Sequence, residues 1–221
     1  MITTHPQVQV FDPQLDVSII TRQLPHWSQT GTISFITWRT WDSLPKHVIQ
    51  AWETDRDAWL ALQGITPSRD WQTVIQNLTP VQQIEYQRRL SERWNEQLDC
   101  CHGHCVLRRP ELATILAKSL LLFDRDRYEL TDFVVMPNHV HLLGAFPDET
   151  SMLSQCESWK HYTARQINLA LGRSGRFWQR DGFDHLVRSI EQFEHLRKYI
   201  AENPKRSKLK PGEYIHWSKT L

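Results

Sequence analysis

Short apolar and β-branched runs along the chain alternate with longer stretches of helical periodicity. Five runs predict strands, at residues 31–38, 105–107, 131–136, 139–146 and 185–189. Pro137 and Asn138 separate the third run from the fourth, so these two runs are predicted to pair as a hairpin.

Apolar residues at helical spacing predict helices between these strands. The expected helices span residues 47–63, 79–98, 110–123, about 150–171 and 190–203. Thr79 is the predicted N-cap of the second helix, and Thr150 or Ser151 caps the fourth. This order of strands and helices indicates an α+β domain, with helices packed on an antiparallel or mixed sheet.

The last predicted helix has clear signals at both ends. Ser189 with Gln192 resembles a capping box, and the helix should end at Asn203 because a proline follows. Its expected buried stripe consists of Ile190, Phe193, Leu196 and Ile200.

The length of 221 residues suits one domain with a substantial core. Residues 1–30 are polar and contain three prolines, so we expect a loosely packed N-terminal arm. The segment 46–98 is helical and slightly acidic, and we interpret it as an insertion within the domain.

Charge is distributed unevenly although the formal net charge is only +1. Residues 41–100 contain six Lys and Arg against nine Asp and Glu, whereas residues 155–210 contain twelve against six. A basic C-terminal half favours a polyanionic partner, and a solvated charged surface is the alternative interpretation.

The four cysteines and the absence of long apolar runs are informative about the cellular compartment of the protein. No signal peptide is evident and no stretch approaches the ~20 apolar residues of a membrane span, so we expect a cytoplasmic protein with reduced thiols and no membrane partner. The cluster Cys100–Cys105 is too dense for one tetrahedral zinc site. The sequence has no second CxxC or HxxxH motif to supply further ligands, which disfavours zinc.

Two histidines are the strongest chemical signal in the chain. His139 and His141 are two apart on a predicted strand, so both imidazoles leave the same face of the sheet. Two converging imidazoles suit a divalent metal ion.

A tyrosine and an asparagine on the last helix complete the predicted site. Tyr199 and Asn203 are four apart and therefore share a helix face. A tyrosine hydroxyl can attack a phosphodiester once it is deprotonated or polarised and the phosphate charge is neutralised. Asn203 would add an oxygen to the two histidine nitrogens, a set suited to Mg²⁺ or Mn²⁺. Tyr162 is a competing nucleophile.

Five motifs resemble those of the single-tyrosine HUH transposases, and their order is most similar to the REP-associated tyrosine transposase branch. The resemblance covers about residues 106–209 and is carried by MPNHVHLL (136–143), SWK (158–160), FWQR (177–180), DHLVR (184–188) and YIAENP (199–204).

This resemblance implies one transposase-like catalytic domain over residues 1–221, with the ferredoxin-like antiparallel sheet of HUH endonucleases. It implies metal-dependent cleavage and rejoining of single-stranded DNA at hairpin sequences, by a monomer or a homodimer. Tyr199 would form a 5′-phosphotyrosine link, with His139, His141 and Asn203 holding the metal.

Basic and aromatic residues between the motifs are candidate contacts to the DNA. The predicted set is Lys160, Arg173, Arg176, Trp178, Arg180, Arg188, Lys205 and Arg206. Each cation can also be an ordinary surface charge, and Trp178 can equally be a core residue.

Two other functions compete with the cleaving and rejoining enzyme. One is a non-catalytic protein, derived from such an enzyme, that binds hairpin DNA or RNA. The other is a metal-dependent hydrolase in which water replaces Tyr199 as the attacking group.

Overall fold

The core of the computed structural model is a five-stranded antiparallel sheet with helices on both faces. The structure describes residues 10, 18–21, 25–28, 31–66, 74, 78–79, 81–82, 85–86, 89, 96–180 and 182–220. Its strands are β1 (Ser18–Thr21), β2 (Pro25–Ser28), β3 (Ile33–Arg39), β4 (Glu129–Val135), β5 (His139–Ala145), β6 (Phe183–Leu186) and β7 (Ile215–Ser218). Within the described residues, the long helices are α1 (Lys46–Leu62), α2 (Pro110–Leu121), α3 (Glu149–Ala170) and α4 (Ile190–Arg206).

The sheet has the ferredoxin-like topology. Its strand order is β6-β3-β5-β4-β7, and all neighbouring strands are antiparallel. Without β7, the elements β3, α2, β4, β5, α3 and β6 form the βαββαβ unit of that fold. The α+β, ferredoxin-like prediction is confirmed, including the hairpin between β4 and β5.

The sheet separates two hydrophobic cores, because side chains alternate between its faces. The first face carries Trp38, Val140 and Leu142 and packs against α2 and α3. The second face carries Phe35, Val134 and Leu143, and its core includes Phe193, Leu196 and Ile200 of α4. His139 and His141 share the register of Leu143 and therefore lie on the second face.

The segment predicted as an insertion is largely helical where it is described. Helix α1 matches the predicted helix 47–63 within one residue. Thr79 begins the next helical stretch, since its Oγ1 accepts from the Gln82 N–H at 3.3 Å and its N–H donates to Gln82 Oε1 at 3.0 Å. Much of residues 80–95 lies outside the described residues.

The predicted strand at 105–107 is wrong. Cys105 has a left-handed φ of 50°, which interrupts an extended chain, and Val106–Arg108 form a 3₁₀ turn. This turn buries Leu107 completely, and the Leu107 N–H donates to the Pro137 carbonyl at 3.1 Å. The apolar run at 105–107 is therefore packed into the core as a turn and not as a strand.

The predicted end of the last helix is also wrong, because α4 continues through Pro204 to Arg206. A proline in the final turn removes only one backbone hydrogen bond and keeps a helical φ. Ser207 and Leu209 N–H groups donate to the Asn203 and Pro204 carbonyls, so the turn closes beyond the proline.

Smaller corrections concern boundaries and exposure. Asp148, rather than Thr150 or Ser151, caps α3 by accepting from the Ser151 N–H at 2.7 Å. Ile190 is 49% exposed and does not join the buried stripe of α4. The strand predicted at 185–189 is β6, which begins and ends earlier.

Both chain ends contain strands that the pattern did not predict. Strands β1 and β2 pair with each other within the predicted N-terminal arm, the rest of which lies largely outside the described residues. Strand β7 pairs with β4 and becomes one edge of the main sheet. Among the described residues, none of the helices has the length and apolar composition needed to span a bilayer.

The N-cap of α4 should contribute measurably to stability. Ser189 Oγ accepts from the Gln192 N–H at 3.1 Å, so Ser189→Ala should lower the free energy of unfolding by about 1 kcal/mol in urea denaturation. Ser174→Ala in an exposed loop is the control and should change it by less than about 0.5 kcal/mol. Equal effects of the two substitutions would contradict a capping role.

Candidate active site and metal centre

The two histidines lie side by side on β5 and are fully buried. Their ring centroids are 4.7 Å apart. Burial lowers the pKa of His139 to about 3, and burial and the neighbouring His139 lower the pKa of His141. Both imidazoles are therefore neutral near pH 7, which is the state that binds a metal ion.

Each imidazole is held by a hydrogen bond at Nδ1. His139 Nδ1 lies 2.7 Å from Asn138 Oδ1, and His141 Nδ1 lies 2.7 Å from Thr37 Oγ1. Phe35 also stacks on the His141 ring, at 5.4 Å between centroids. The Nε2 atoms remain for other partners, as is usual for histidine ligands with outer hydrogen bonds.

Asp99 is a site residue that the sequence analysis missed. Its donor oxygen and the ring nitrogens of His139 and His141 all lie within 4.8 Å of one another. Asp99 is 40 residues before His139 in the chain, and no spacing motif connects the two. It reaches the site because the helical turn at residues 96–99 ends beside the second face of the sheet.

The residues present fit a divalent metal ion. Three buried atoms of the site have no hydrogen-bond partner among the described residues: His139 Nε2, Asp99 Oδ2 and Asn203 Oδ1. Buried polar atoms without partners are costly, so their convergence needs an explanation. Two imidazole nitrogens and a carboxylate form a donor set that suits such an ion.

A tightly shaped loop connects Asp99 to the 3₁₀ turn. Cys101, Gly103 and Cys105 all have left-handed φ values. Asp42 Oδ2 accepts from both the backbone N–H of His104, at 2.8 Å, and its Nδ1, at 2.7 Å. A Cβ atom on Gly103 would lie 2.6 Å from the Asp42 carbonyl oxygen, so this position requires glycine.

Tyr199 reaches the histidines within the same chain. Its Oη lies 3.4 Å from His141 Nε2 and 3.4 Å from Asp99 Oδ1, both long for hydrogen bonds of a hydroxyl. Burial and the carboxylate of Asp99 raise the pKa of Tyr199 above its ordinary value. The phenol is therefore protonated at neutral pH and needs help to become a nucleophile.

Asn203 is hydrogen-bonded to Asp99. Its Nδ2 donates to Asp99 Oδ1 at 2.7 Å. Burial raises the pKa of Asp99 to about 6, and the hydrogen bond from Asn203 opposes that shift. Asp99 is thus ionised near pH 7, yet it is more basic than an ordinary aspartate.

Arg206 is the predicted cation that the structure brings closest to Tyr199. Its guanidinium carbon lies 5.1 Å from the centroid of the Tyr199 ring, and its Nε lies 3.9 Å from Asp99 Oδ2. Lys205 is exposed on the same helix end. Arg188 lies half-buried just before α4, where burial lowers its pKa.

The other predicted DNA contacts are elsewhere. Lys160 lies on α3, the helix of the first face, and its Nζ donates to the Arg180 carbonyl at 3.0 Å. Arg173 and Arg176 are exposed in the loop after α3. These four cations do not join Arg206 in one cluster around Tyr199.

The burial of Trp178 favours the core interpretation over base stacking. The residue is 5% exposed, and its Nε1 donates to Thr163 Oγ1 at 2.9 Å.

The competing nucleophile Tyr162 is 52% exposed on α3, on the opposite face of the sheet from His141. The structure therefore brings Tyr199, and not Tyr162, to the histidines.

The cysteine cluster contributes no metal site within the described part of the chain, where Asp99, His139 and His141 form the candidate group. Cys105 Sγ contacts the Cys101 carbonyl at 2.8 Å. Burial raises the pKa of the Cys101 thiol to about 12, so it remains a thiol rather than a thiolate ligand.

Comparisons with known proteins agree with the motifs. Residues 106–203 match the family described as IS200-like transposases, a range that contains His139, His141, Tyr199 and Asn203 but excludes Asp99. The chain is 28% identical over 102 residues to a REP-associated tyrosine transposase of Escherichia coli (strain K12). This match covers 44% of the chain and 59% of that relative, so the chain spans about three fifths of the relative's length.

One solved structure, a REP-associated tyrosine transposase bound to a REP hairpin, is also similar. The TM-score is 0.40 at 15% identity, over 87% of this chain and 88% of that chain. The resemblance inferred from the sequence motifs is confirmed by the family match.

The loop that leads from Asp99 can be tested by two glycine substitutions. Gly103 and Gly175 both have left-handed φ values, of 89° and 95°, but a Cβ on Gly175 would meet nothing within 4 Å. Gly175→Ala should cost about 1–2 kcal/mol through backbone strain alone. Gly103→Ala adds the clash with Asp42 and should be clearly less stable in thermal unfolding, whereas equal costs would show that the loop can shift freely.

Proposed function

We propose that this protein is a metal-dependent single-strand DNA endonuclease and strand transferase, a function supported by the match of residues 106–203 to the IS200-like transposases. The observation that supports this most directly is the position of the Tyr199 hydroxyl, 3.4 Å from His141 Nε2 and beside the carboxylate of Asp99. A nucleophile, a base and a metal-compatible group thus occur together in one chain.

The proposed reaction is a transesterification at one phosphodiester. Tyr199 Oη bonds to the phosphorus, and the bond from phosphorus to the 3′ oxygen breaks. The phenolic proton leaves toward Asp99 Oδ1, which lies 3.4 Å from Tyr199 Oη, and a proton ends on the released 3′ oxygen. The products are a 5′-phosphotyrosine and a free 3′-hydroxyl, and the reverse reaction joins strands without a nucleotide cofactor.

His139, His141 and Asp99 are the proposed holders of a divalent ion, Mg²⁺ or Mn²⁺. Such an ion would neutralise the charge on the non-bridging phosphate oxygens and so favour attack by the phenol. Asn203 orients Asp99 in this arrangement, through its hydrogen bond of 2.7 Å. Its own Oδ1 is the alternative oxygen ligand.

Single-stranded DNA beside a hairpin is the proposed substrate. The curated relative is named for its association with REP sequences, and the hairpin specificity follows from that resemblance. Arg206 stands over Tyr199 and can contact a phosphate next to the scissile bond. Lys205 and Arg188, near the two ends of α4, would extend the contact along the strand.

A denaturing gel of hairpin DNA incubated with the protein and Mn²⁺ separates the competing functions. The proposed enzyme yields a protein-linked product, a hydrolase yields free cut ends, and a non-catalytic binder leaves the DNA intact while retarding it in a native gel.

Tyr199→Phe should abolish the covalent DNA adduct, because it removes the phenolic hydroxyl that lies 3.4 Å from His141 Nε2. Tyr162→Phe is the matched control, since it removes a hydroxyl on the opposite face of the sheet, and should retain adduct formation. The adduct is measured by denaturing electrophoresis of labelled DNA. Adduct formed by Tyr199→Phe but lost in Tyr162→Phe would reverse the assignment.

Asp99→Ala and Asn203→Ala should differ in their effect on metal affinity. With Asp99 as ligand, Asp99→Ala should weaken Mn²⁺ binding in calorimetry by more than about 100-fold. Asn203→Ala should weaken it by about 10-fold, as expected for a residue that orients a ligand. The opposite order would identify Asn203 as the ligand.

A further inference from the structure

Asn138 uses both ends of its side-chain amide at the start of β5. It is fully buried in the turn that precedes His139. Its Nδ2 donates to the His102 carbonyl at 2.8 Å, and its Oδ1 lies 2.7 Å from His139 Nδ1. One side chain thus contacts a histidine of the candidate site and the loop that follows Asp99.

The carbonyl of His102 determines which way the amide faces. A backbone carbonyl only accepts hydrogen bonds, so the NH₂ group of Asn138 must point to His102 and its oxygen to His139. That oxygen is itself only an acceptor, so His139 Nδ1 must carry the proton. The other nitrogen, Nε2, then presents a lone pair 3.8 Å from Asp99 Oδ1.

We propose that Asn138 is a positioning residue that sets the tautomer of His139 and ties the Asp99 loop to the same histidine. The tautomer follows from hydrogen bonding alone, and the consequence for metal binding rests on the proposed function. One amide therefore couples two candidate ligands that come from separate parts of the chain.

His141 shows why an amide is informative here. Its Nδ1 contacts the hydroxyl of Thr37 at 2.7 Å, and a hydroxyl can donate as well as accept. Thr37 therefore holds the His141 ring in place without selecting its tautomer. Asn138 does select one, because its NH₂ group is already committed to His102.

The loop has a second attachment, which provides a matched control. Asp42 accepts two hydrogen bonds from His104 and makes no contact with His139 among the described interactions. Asp42→Ala should therefore loosen the loop and leave the His139 tautomer unchanged. Asn138→Ala removes both functions of the amide. Asn138→Asp keeps an acceptor for His139 Nδ1 but loses the donor to His102.

Two measurements on the metal-free protein test the proposal directly. Side-chain ¹⁵N chemical shifts of the histidines report which nitrogen of His139 carries the proton, and amide hydrogen exchange over residues 99–105 reports loop opening. We expect the Nδ1–H form in the wild type, in Asn138→Asp and in Asp42→Ala, and a mixture of tautomers in Asn138→Ala. Exchange should be faster in all three variants.

Mn²⁺ calorimetry adds the consequence for the site. Asn138→Ala should bind Mn²⁺ about 10- to 100-fold more weakly than the wild type, as is typical when an outer hydrogen bond to a histidine ligand is lost. The Mn²⁺ affinity of Asn138→Asp should lie between those of the wild type and Asn138→Ala, since this variant keeps an acceptor for His139 Nδ1 and releases only the loop.

Several results would overturn the proposal. An Nε2–H form of His139 in the wild type would contradict it without any variant, which covers the case in which Asn138→Ala does not fold. An unchanged tautomer in folded Asn138→Ala would also contradict it. If the wild type has the Nδ1–H form but binds no Mn²⁺, the proposed function fails while the positioning role of Asn138 stands.

Discussion

Removal of two adjacent imidazoles from water is the constraint on which the rest of the site depends. His139 and His141 are fully buried on a central strand, so neither can carry a charge at neutral pH without a large desolvation cost. Each Nδ1 has a hydrogen-bond partner, Asn138 or Thr37. The Nε2 atoms consequently face Asp99 and Tyr199, the two other groups of the proposed reaction.

The two faces of the sheet have different roles: the first carries the larger hydrophobic core, and the second carries the candidate site. Its first face packs aromatic residues closely, as in the stacking of Trp38 on Trp159 at 5.8 Å. The second face is covered by α4, which is held by apolar contacts and also by polar ones. Arg197 donates to the buried carboxylate of Asp132 at 3.0 Å and to Ser218 Oγ at 3.2 Å. These bonds tie α4 to β4 and β7 and so restrain the helix that carries Tyr199.

The segment before residue 106 also has a role that its composition did not reveal. It ends in Asp99, the carboxylate that contacts Tyr199 and Asn203. The loop that follows is attached to the core through Asp42 and Asn138. A region outside the family match therefore completes the candidate site, and its acidic character places a negative charge beside Arg206.

Local regularities in the sequence were sufficient for much of this description. The alternation of a strand placed His139 and His141 on one face, the helical repeat placed Tyr199 and Asn203 together, and Ser189 marked the start of α4. The order of strands and helices also predicted the α+β class. These features depend on the geometry of one element at a time, which the residues of that element determine.

Only the tertiary structure decided which elements meet. Asp99 joins the site through contacts across about 40 residues, and Trp178 is buried in the core of the first face. Helix α4 continues past Pro204, and its last turn is closed by the N–H groups of Ser207 and Leu209. Such contacts leave no periodic signal, because they arise from chain closure and from the burial of polar groups that need partners. The sequence determined the directions of side chains within each element, and the packing of the sheet, helices and loop decided what they face.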